Sequence, residues 1–176
     1  MERTLTKEFE IELKFLLESI NLKYNYDFRG YSHKSLKRTL VNAMNRMGLH
    51  TLLALREKVL DDEKCFFDLL QFLTIPVSEM FRDPTYYLSL REKVFPILKT
   101  YASIKVWVAG CSTGEEVYSL AILLKEEDLL DRPTIYATDI NPRSLEKAKE
   151  GIFALDTIQN FAQNYQEAGG KGAPAD

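Results

Sequence analysis

Residues 104–116, Ile-Lys-Val-Trp-Val-Ala-Gly-Cys-Ser-Thr-Gly-Glu-Glu, decide how this chain is read. A β-branched run (Ile104, Val106, Val108) stops at Gly110, turns through small residues, and restarts with Glu115 and Glu116 opening a helical pattern. Strand, tight loop and helix N-terminus, in that order, form the geometry by which open α/β sheets hold a nucleotide-like cofactor. A second β-rich run, Thr134-Ile-Tyr-Ala-Thr138, follows and ends in Asp139. An acid at the tip of the second strand is where such folds grip ribose hydroxyls.

Two other ligands share this layout and are excluded by the loop. Dinucleotide binding calls for Gly-x-Gly-x-x-Gly, whereas only Gly110 and Gly114 are present here. A phosphate-cradling P-loop calls for Lys after its last glycine, and Glu115 stands there instead. Two acids at the loop exit repel phosphate and suit a ligand with positive charge, such as an amino group or a sulfonium. Their alternative role is local: acids in a first turn favour the helix dipole.

The bulk composition is that of a soluble globular protein: 176 residues, 45% apolar, 28% charged, net charge −3. That length holds one domain, or a small domain plus part of another. No apolar run approaches a membrane span, and Met1-Glu-Arg-Thr lacks the apolar core of a signal peptide. Cys65 and Cys111 fall in different elements without metal-ligand spacing, so a reduced, cytoplasmic compartment and no metal site are expected. Cys111 has no evident partner His and reads as a small loop residue rather than a nucleophile.

Working outward, the N-terminal half reads as helices. Phe9, Leu13, Leu16, Leu17 and Ile20 recur at helical spacing behind a Thr6 cap. Ser32 is placed to cap a second helix with Leu36, Leu40, Met44 and Met47 on one face, ending at Gly48. Thr51 and Asp62 start two more, which suggests a small bundle. Two prolines mark residues 74–84 as a linker, with Asp83-Pro84 as cap and first turn of a helix from Tyr86 to about Leu98. Strand, helix, strand and a helix after Asn141-Pro142 imply a parallel sheet covered by helices. The expected division is a helical docking domain over 1–75, a linker over 76–83, a partial sheet domain over 84–162, and a disordered tail over 163–176. Two strands are few for a doubly wound sheet, so a longer parent with on the order of 100 further residues is expected.

Between Asp27 and Glu57 there is no acid, while Arg29, Lys34, Lys37, Arg38, Arg46 and Arg56 are basic. On a helical wheel Lys34, Lys37 and Arg38 lie opposite the apolar stripe. The pattern suits either a solvated helix face or a docking surface for something anionic, an acidic protein helix or a nucleic acid. The chain is acidic overall, and the stretch lacks interleaved exposed aromatics, which disfavours nucleic acid.

Over residues 30–155 these motifs in order resemble the chemotaxis receptor methyltransferases of the CheR type. The resemblance rests on the basic helix around Lys37-Arg38, the Thr74–Pro84 segment, Ala109-Gly-Cys-Ser-Thr-Gly-Glu-Glu-Val-Tyr-Ser119 and Tyr136-Ala-Thr-Asp-Ile140. It implies an N-terminal helical bundle followed by the first half of a Rossmann-like methyltransferase domain. It further implies S-adenosylmethionine as cofactor and glutamates on cytoplasmic chemoreceptor helices as acceptors. By position, Asp139 matches the family's ribose-binding acid, Glu116 an acid contacting the cofactor, and Arg82 an arginine reaching cofactor and acceptor. Ser78 falls where the family has a cofactor-contacting Thr and keeps its hydroxyl, whereas Pro76 falls near an Asn and cannot supply amide donors. The family's later Asn motif, active-site Tyr and β subdomain have no counterpart before Asp176. The rival expectations are a receptor-docking or cofactor-sensing module without catalysis and a nucleic-acid methyltransferase.

Overall fold

The computed structural model describes residues 7–74, 78–153 and 160–172. The chain divides into two compact units, Met1–Ile75 and Pro76–Asp176.

The first unit contains α1 (Lys7–Tyr24), α2 (His33–Met47), α3 (Leu52–Asp61) and α4 (Glu63–Leu73). Their boundaries follow local chemistry. Thr51 Oγ1 accepts the Ala54 N–H at 3.1 Å and starts α3, and the Asp62 carboxylate accepts the Lys64 N–H at 2.9 Å and starts α4. Gly48, at φ +68°, ends α2 in the left-handed conformation. Ser32 occupies the first boundary of α2 but makes no capping bond through its side chain, contrary to expectation. The expected Thr6 cap lies outside the described residues. Leu13, Leu16, Leu17 and Ile20 of α1 share one core with Leu36 and Leu40 of α2, Leu55 of α3 and Phe66, Leu69 and Leu70 of α4. Tyr24 stacks on Phe66 with ring centroids 3.9 Å apart and donates its hydroxyl to the Val59 carbonyl at 2.6 Å.

The second unit begins with a helical run of unequal pitch: α5 (Pro84–Ser89), a π-helical turn (Leu90–Val94) and α6 (Phe95–Leu98). The sequence reading is one helix from Tyr86 to about Leu98 perturbed near its end by Pro96. Pro96 has no N–H and its ring collides with the carbonyl four residues back, so the preceding turn widens, with Phe95 N–H reaching Leu90 O. Strands β1 (Ile104–Ala109) and β2 (Pro133–Thr138) pair in parallel from Ile104↔Pro133 to Ala109↔Thr138, crossing through α7 (Glu115–Glu126). Helix α8 (Pro142–Glu150) follows, capped by Asn141, whose side chain accepts the Arg143 N–H at 3.1 Å. Ile104, Val106 and Ile135 face a core of Phe81, Tyr87, Phe95, Leu123 and Leu124, while Trp107 on the other sheet face is 71% exposed.

Two sequence boundaries need correction. Met80 and Phe81, read as linker, are buried in this second core. The tail read as disordered from Gln163 carries α9 (Phe161–Glu167). Phe161, Tyr165 and Ala168 recur at helical spacing and pack on that core; a window opened at Gln163 leaves out Phe161.

A charged network ties the end of α7 to both neighbours. Glu127 accepts from Lys171 at 2.6 Å, Lys99 at 2.9 Å and Arg91 at 3.0 Å. The Lys171 and Lys99 ammonium groups hold the Glu127 carboxyl down at about 2, against burial, which raises it. Because the folded value lies below the unfolded one, this stabilisation is present above about pH 4.5 and is lost as pH falls toward about 2. The expected result is a thermal midpoint that drops less on acidification in Glu127→Gln than in the parent, measured by calorimetry across that window.

Candidate cofactor site

The site is built on the loop between β1 and α7. Gly110 and Cys111 donate their N–H groups to the Thr138 carbonyl at 2.8 and 2.9 Å, which fastens the loop to the end of β2. Gly110, Ser112 and Gly114 all take positive φ, at 74°, 50° and 100°. Gly114 is there for space as well as conformation: a Cβ would stand 3.1 Å from the Ala148 side chain and 3.2 Å from its backbone on α8. Gly114 is therefore buried at the start of α7, with α8 closing on it.

Asp139 stands at the tip of β2 and is held, not swinging. Its Oδ2 accepts the Ser112 N–H and its Oδ1 the Asn141 N–H, both at 2.8 Å. Each oxygen keeps a lone pair for a further donor, such as a ribose hydroxyl. The Ser112 hydroxyl beside it is buried with no hydrogen-bond partner among the described residues. A buried, unpaired hydroxyl is costly, which makes Ser112 a candidate contact for a ligand group.

The two loop-exit acids have different roles. Glu115 is buried and takes the Thr113 hydroxyl at 2.6 Å, so it stabilises the turn. Glu116 is exposed and lines a cavity of about 350 Å³ together with Glu79, Arg82, Asp83, Tyr86 and Tyr87. Burial, then the Glu116 charge, push the Tyr87 hydroxyl up to about 12 and move Tyr86 in the same direction. Burial raises the Cys111 thiol, and the Asp139, Glu115 and Glu116 carboxylates add to it. A thiol so placed stays protonated, in keeping with a packing role. Asp139 and Glu116 both act on Cys111, which puts the loop within electrostatic reach of each.

Arg82 rises into the cavity from a distorted backbone: Phe81 and Asp83 on either side have φ of 54° and 58°. Asp83 makes no capping bond to α5 through its side chain, contrary to its sequence reading, and lines the cavity instead. Ser78 is half-buried and does not line the cavity, and Pro76 lies outside the described residues. In the first unit, Lys34 and Arg38 are exposed, whereas Lys37 is half-buried with its ammonium 5.3 Å from the Phe9 ring centre, which corrects its placement on an open face. Arg29 is likewise withdrawn from the cationic run, bound to Asp27 through two contacts of 2.8 Å. Sequence reasoning missed Glu79, Tyr86, Tyr87 and Ser112 as site residues. Only the tyrosine pair within one turn of Asp83-Pro84 offered a signal.

The residues present fit S-adenosylmethionine. Asp139 and Ser112 offer polar groups for a ribose, and the acids Glu79, Asp83 and Glu116 make the adjoining cavity favourable for a sulfonium. No group of His, Cys, Asp and Glu among the described residues is arranged to hold a metal. No helix among them is long and apolar enough to cross a membrane.

Parallel strands joined across a glycine loop, with an acid held at the tip of the second strand and a carboxylate-lined cavity, have the layout of the cofactor half of an α/β methyltransferase. Residues 76–169 match the CheR methyltransferase SAM-binding domain, and the chain belongs to that family; its cofactor is S-adenosylmethionine. The chain is 55% identical over 168 residues to a Pseudomonas putida protein named "Putative methyltransferase Cher3", covering 96% of this chain and 62% of that protein. It is 25% identical over 158 residues to a chemotaxis protein methyltransferase of Listeria monocytogenes, covering 89% of this chain and 60% of the relative. It is 33% identical over 92 residues to that of Salmonella typhimurium, covering 51% and 31%. The chain thus spans less than two thirds of the length of these relatives.

Proposed function

We propose that the protein takes part in methyl transfer from S-adenosylmethionine to glutamate side chains on the cytoplasmic helices of chemoreceptors, giving glutamate methyl esters. The observation that carries this reading is the shared cavity of Arg82 and Glu116 beside the loop that Asp139 holds. The cofactor supplies an electrophilic methyl group on a positively charged sulfur. Asp139 and Ser112 bind its ribose, and Glu116 faces its cationic end. Arg82 orients a carboxylate through its paired N–H groups, that of the cofactor's methionine end or that of the incoming glutamate. A glutamate is already ionised at neutral pH, at a reference value of about 4.3, so the acceptor needs no general base. The high Tyr87 hydroxyl and protonated Cys111 agree, since neither group is tuned to take a proton. Alignment and removal of water from the carboxylate supply the rate.

Lys34, Lys37 and Arg38 form the docking face for acidic receptor helices, with Lys37 braced on Phe9. The protein acts in the cytoplasm, where those helices lie. The test is transfer of a labelled methyl group to purified receptor cytoplasmic fragments, followed by mild alkali. Label released as methanol is the expected result, since esters hydrolyse where methylated amines do not; alkali-stable label defeats the assignment. In the same assay Arg82→Ala is expected to lower kcat/KM about a hundredfold. Charge reversal at Lys37 and Arg38 is expected to act mainly on KM for the receptor.

A further inference from the structure

The peptide unit between Met80 and Phe81 is gripped at both of its polar ends by distant parts of the chain. Its N–H, from Phe81, donates to Ser119 Oγ at 2.9 Å. Its C=O, from Met80, accepts the Asn164 side-chain amide at 3.3 Å. Ser119 lies in the middle of α7, fully buried, and donates its own proton to the Glu115 carbonyl at 2.7 Å, so its lone pairs are turned toward Phe81. Asn164 belongs to α9, and Asn160, the residue before that helix, donates to Glu79 at 2.8 Å. Between the two grips Phe81 holds a left-handed backbone that a bulky side chain rarely adopts, and its fully buried ring packs on Tyr87, Phe161 and Tyr165. Strain of this kind persists only where the surroundings over-determine it.

We propose that Ser119 and Asn164 are positioning residues that clamp this single peptide plane and so aim Arg82 into the cavity. The inference rests on the role given to Arg82 above. Without both bonds the plane no longer holds φ of Phe81 at 54°, and relaxation of that torsion away from the left-handed region redirects the chain at Arg82. A helix at the far end of the chain thereby belongs to the working site, although it contributes no lining residue.

The test uses the whole chain, with Ser119→Ala and Asn164→Asp. The second variant keeps the shape of the side chain and removes the donor at a part-buried position, so it remains informative even where the first unfolds. Two quantities are read: hydrogen exchange at the Phe81 amide, and affinity for S-adenosylhomocysteine by calorimetry. Exchange at Phe81 is expected to quicken about tenfold or more while amides of β1 are unaffected. Affinity is expected to fall about tenfold in the parent background and to be unchanged by either substitution in an Arg82→Ala background. Unchanged exchange at Phe81 overturns the clamp. An affinity loss that persists in full without Arg82 overturns its action through that residue. If the parent chain does not bind S-adenosylhomocysteine while Phe81 exchange quickens, the cofactor-site reading of this chain fails and the clamp stands.

Discussion

Replacing Asp139 with Ala is expected to weaken S-adenosylhomocysteine binding by on the order of a hundredfold, the loss of charge-assisted hydrogen bonds of about 1.5–3 kcal/mol each. The same change removes the acceptors of the Ser112 and Asn141 N–H groups, so the loop loses one of its ties to the end of β2 as well as its ligand contact, while the Gly110 and Cys111 bonds to Thr138 remain. Asp139→Asn is the milder change. The amide keeps the shape and one acceptor oxygen, but its NH2 faces either the Ser112 or the Asn141 N–H, so binding and the thermal midpoint should both fall, each by less than in Asp139→Ala. Calorimetric titration and a melting curve on both variants decide the matter. Retained affinity in Asp139→Ala would remove the acid from the site.

Gly114→Val is expected to destabilise the second unit by about 2–4 kcal/mol, combining a disfavoured backbone with overpacking. At φ +100° an L side chain is strained before any contact is counted. Its Cβ would then press on Ala148, where the opposing atoms include backbone that has no rotamer to yield. Gly110→Ala is the matched control: φ is +74°, but nothing lies within 4 Å of the added atom. Only the conformational cost of about 1–2 kcal/mol applies there. Denaturant midpoints for the pair measure the difference, and equal losses would show that α8 does not press on the loop.

Much of the loop and strand framework of the candidate cofactor site was legible because its parts are local. The run from Ile104 to Glu116 carries strand, turn and helix start in consecutive residues, and Asp139 follows a second strand of matching type. Caps at Thr51, Asp62 and Asn141 were readable for the same reason, each bonding two or three residues ahead. The failures are equally instructive. Asp83-Pro84 has the residues of a cap, but Asp83 is driven into a left-handed conformation and its carboxylate faces the cavity. Lys37 sits on the polar side of its helical wheel, but a neighbouring helix brings Phe9 beneath it.

By itself the sequence determined the class of this protein: β-branched runs, a glycine-bounded loop and an acid at a strand tip state their chemistry within a few residues of one another. Only the tertiary structure decided how Arg82 is presented and which acid is free to meet a ligand. Those outcomes depend on contacts between residues 38 and 84 positions apart, Phe81 with Ser119 and Met80 with Asn164. They depend equally on the burial of Glu115 against the exposure of Glu116. Helical and strand periods report which way a side chain points along its own element, but not what a distant segment will place in front of it.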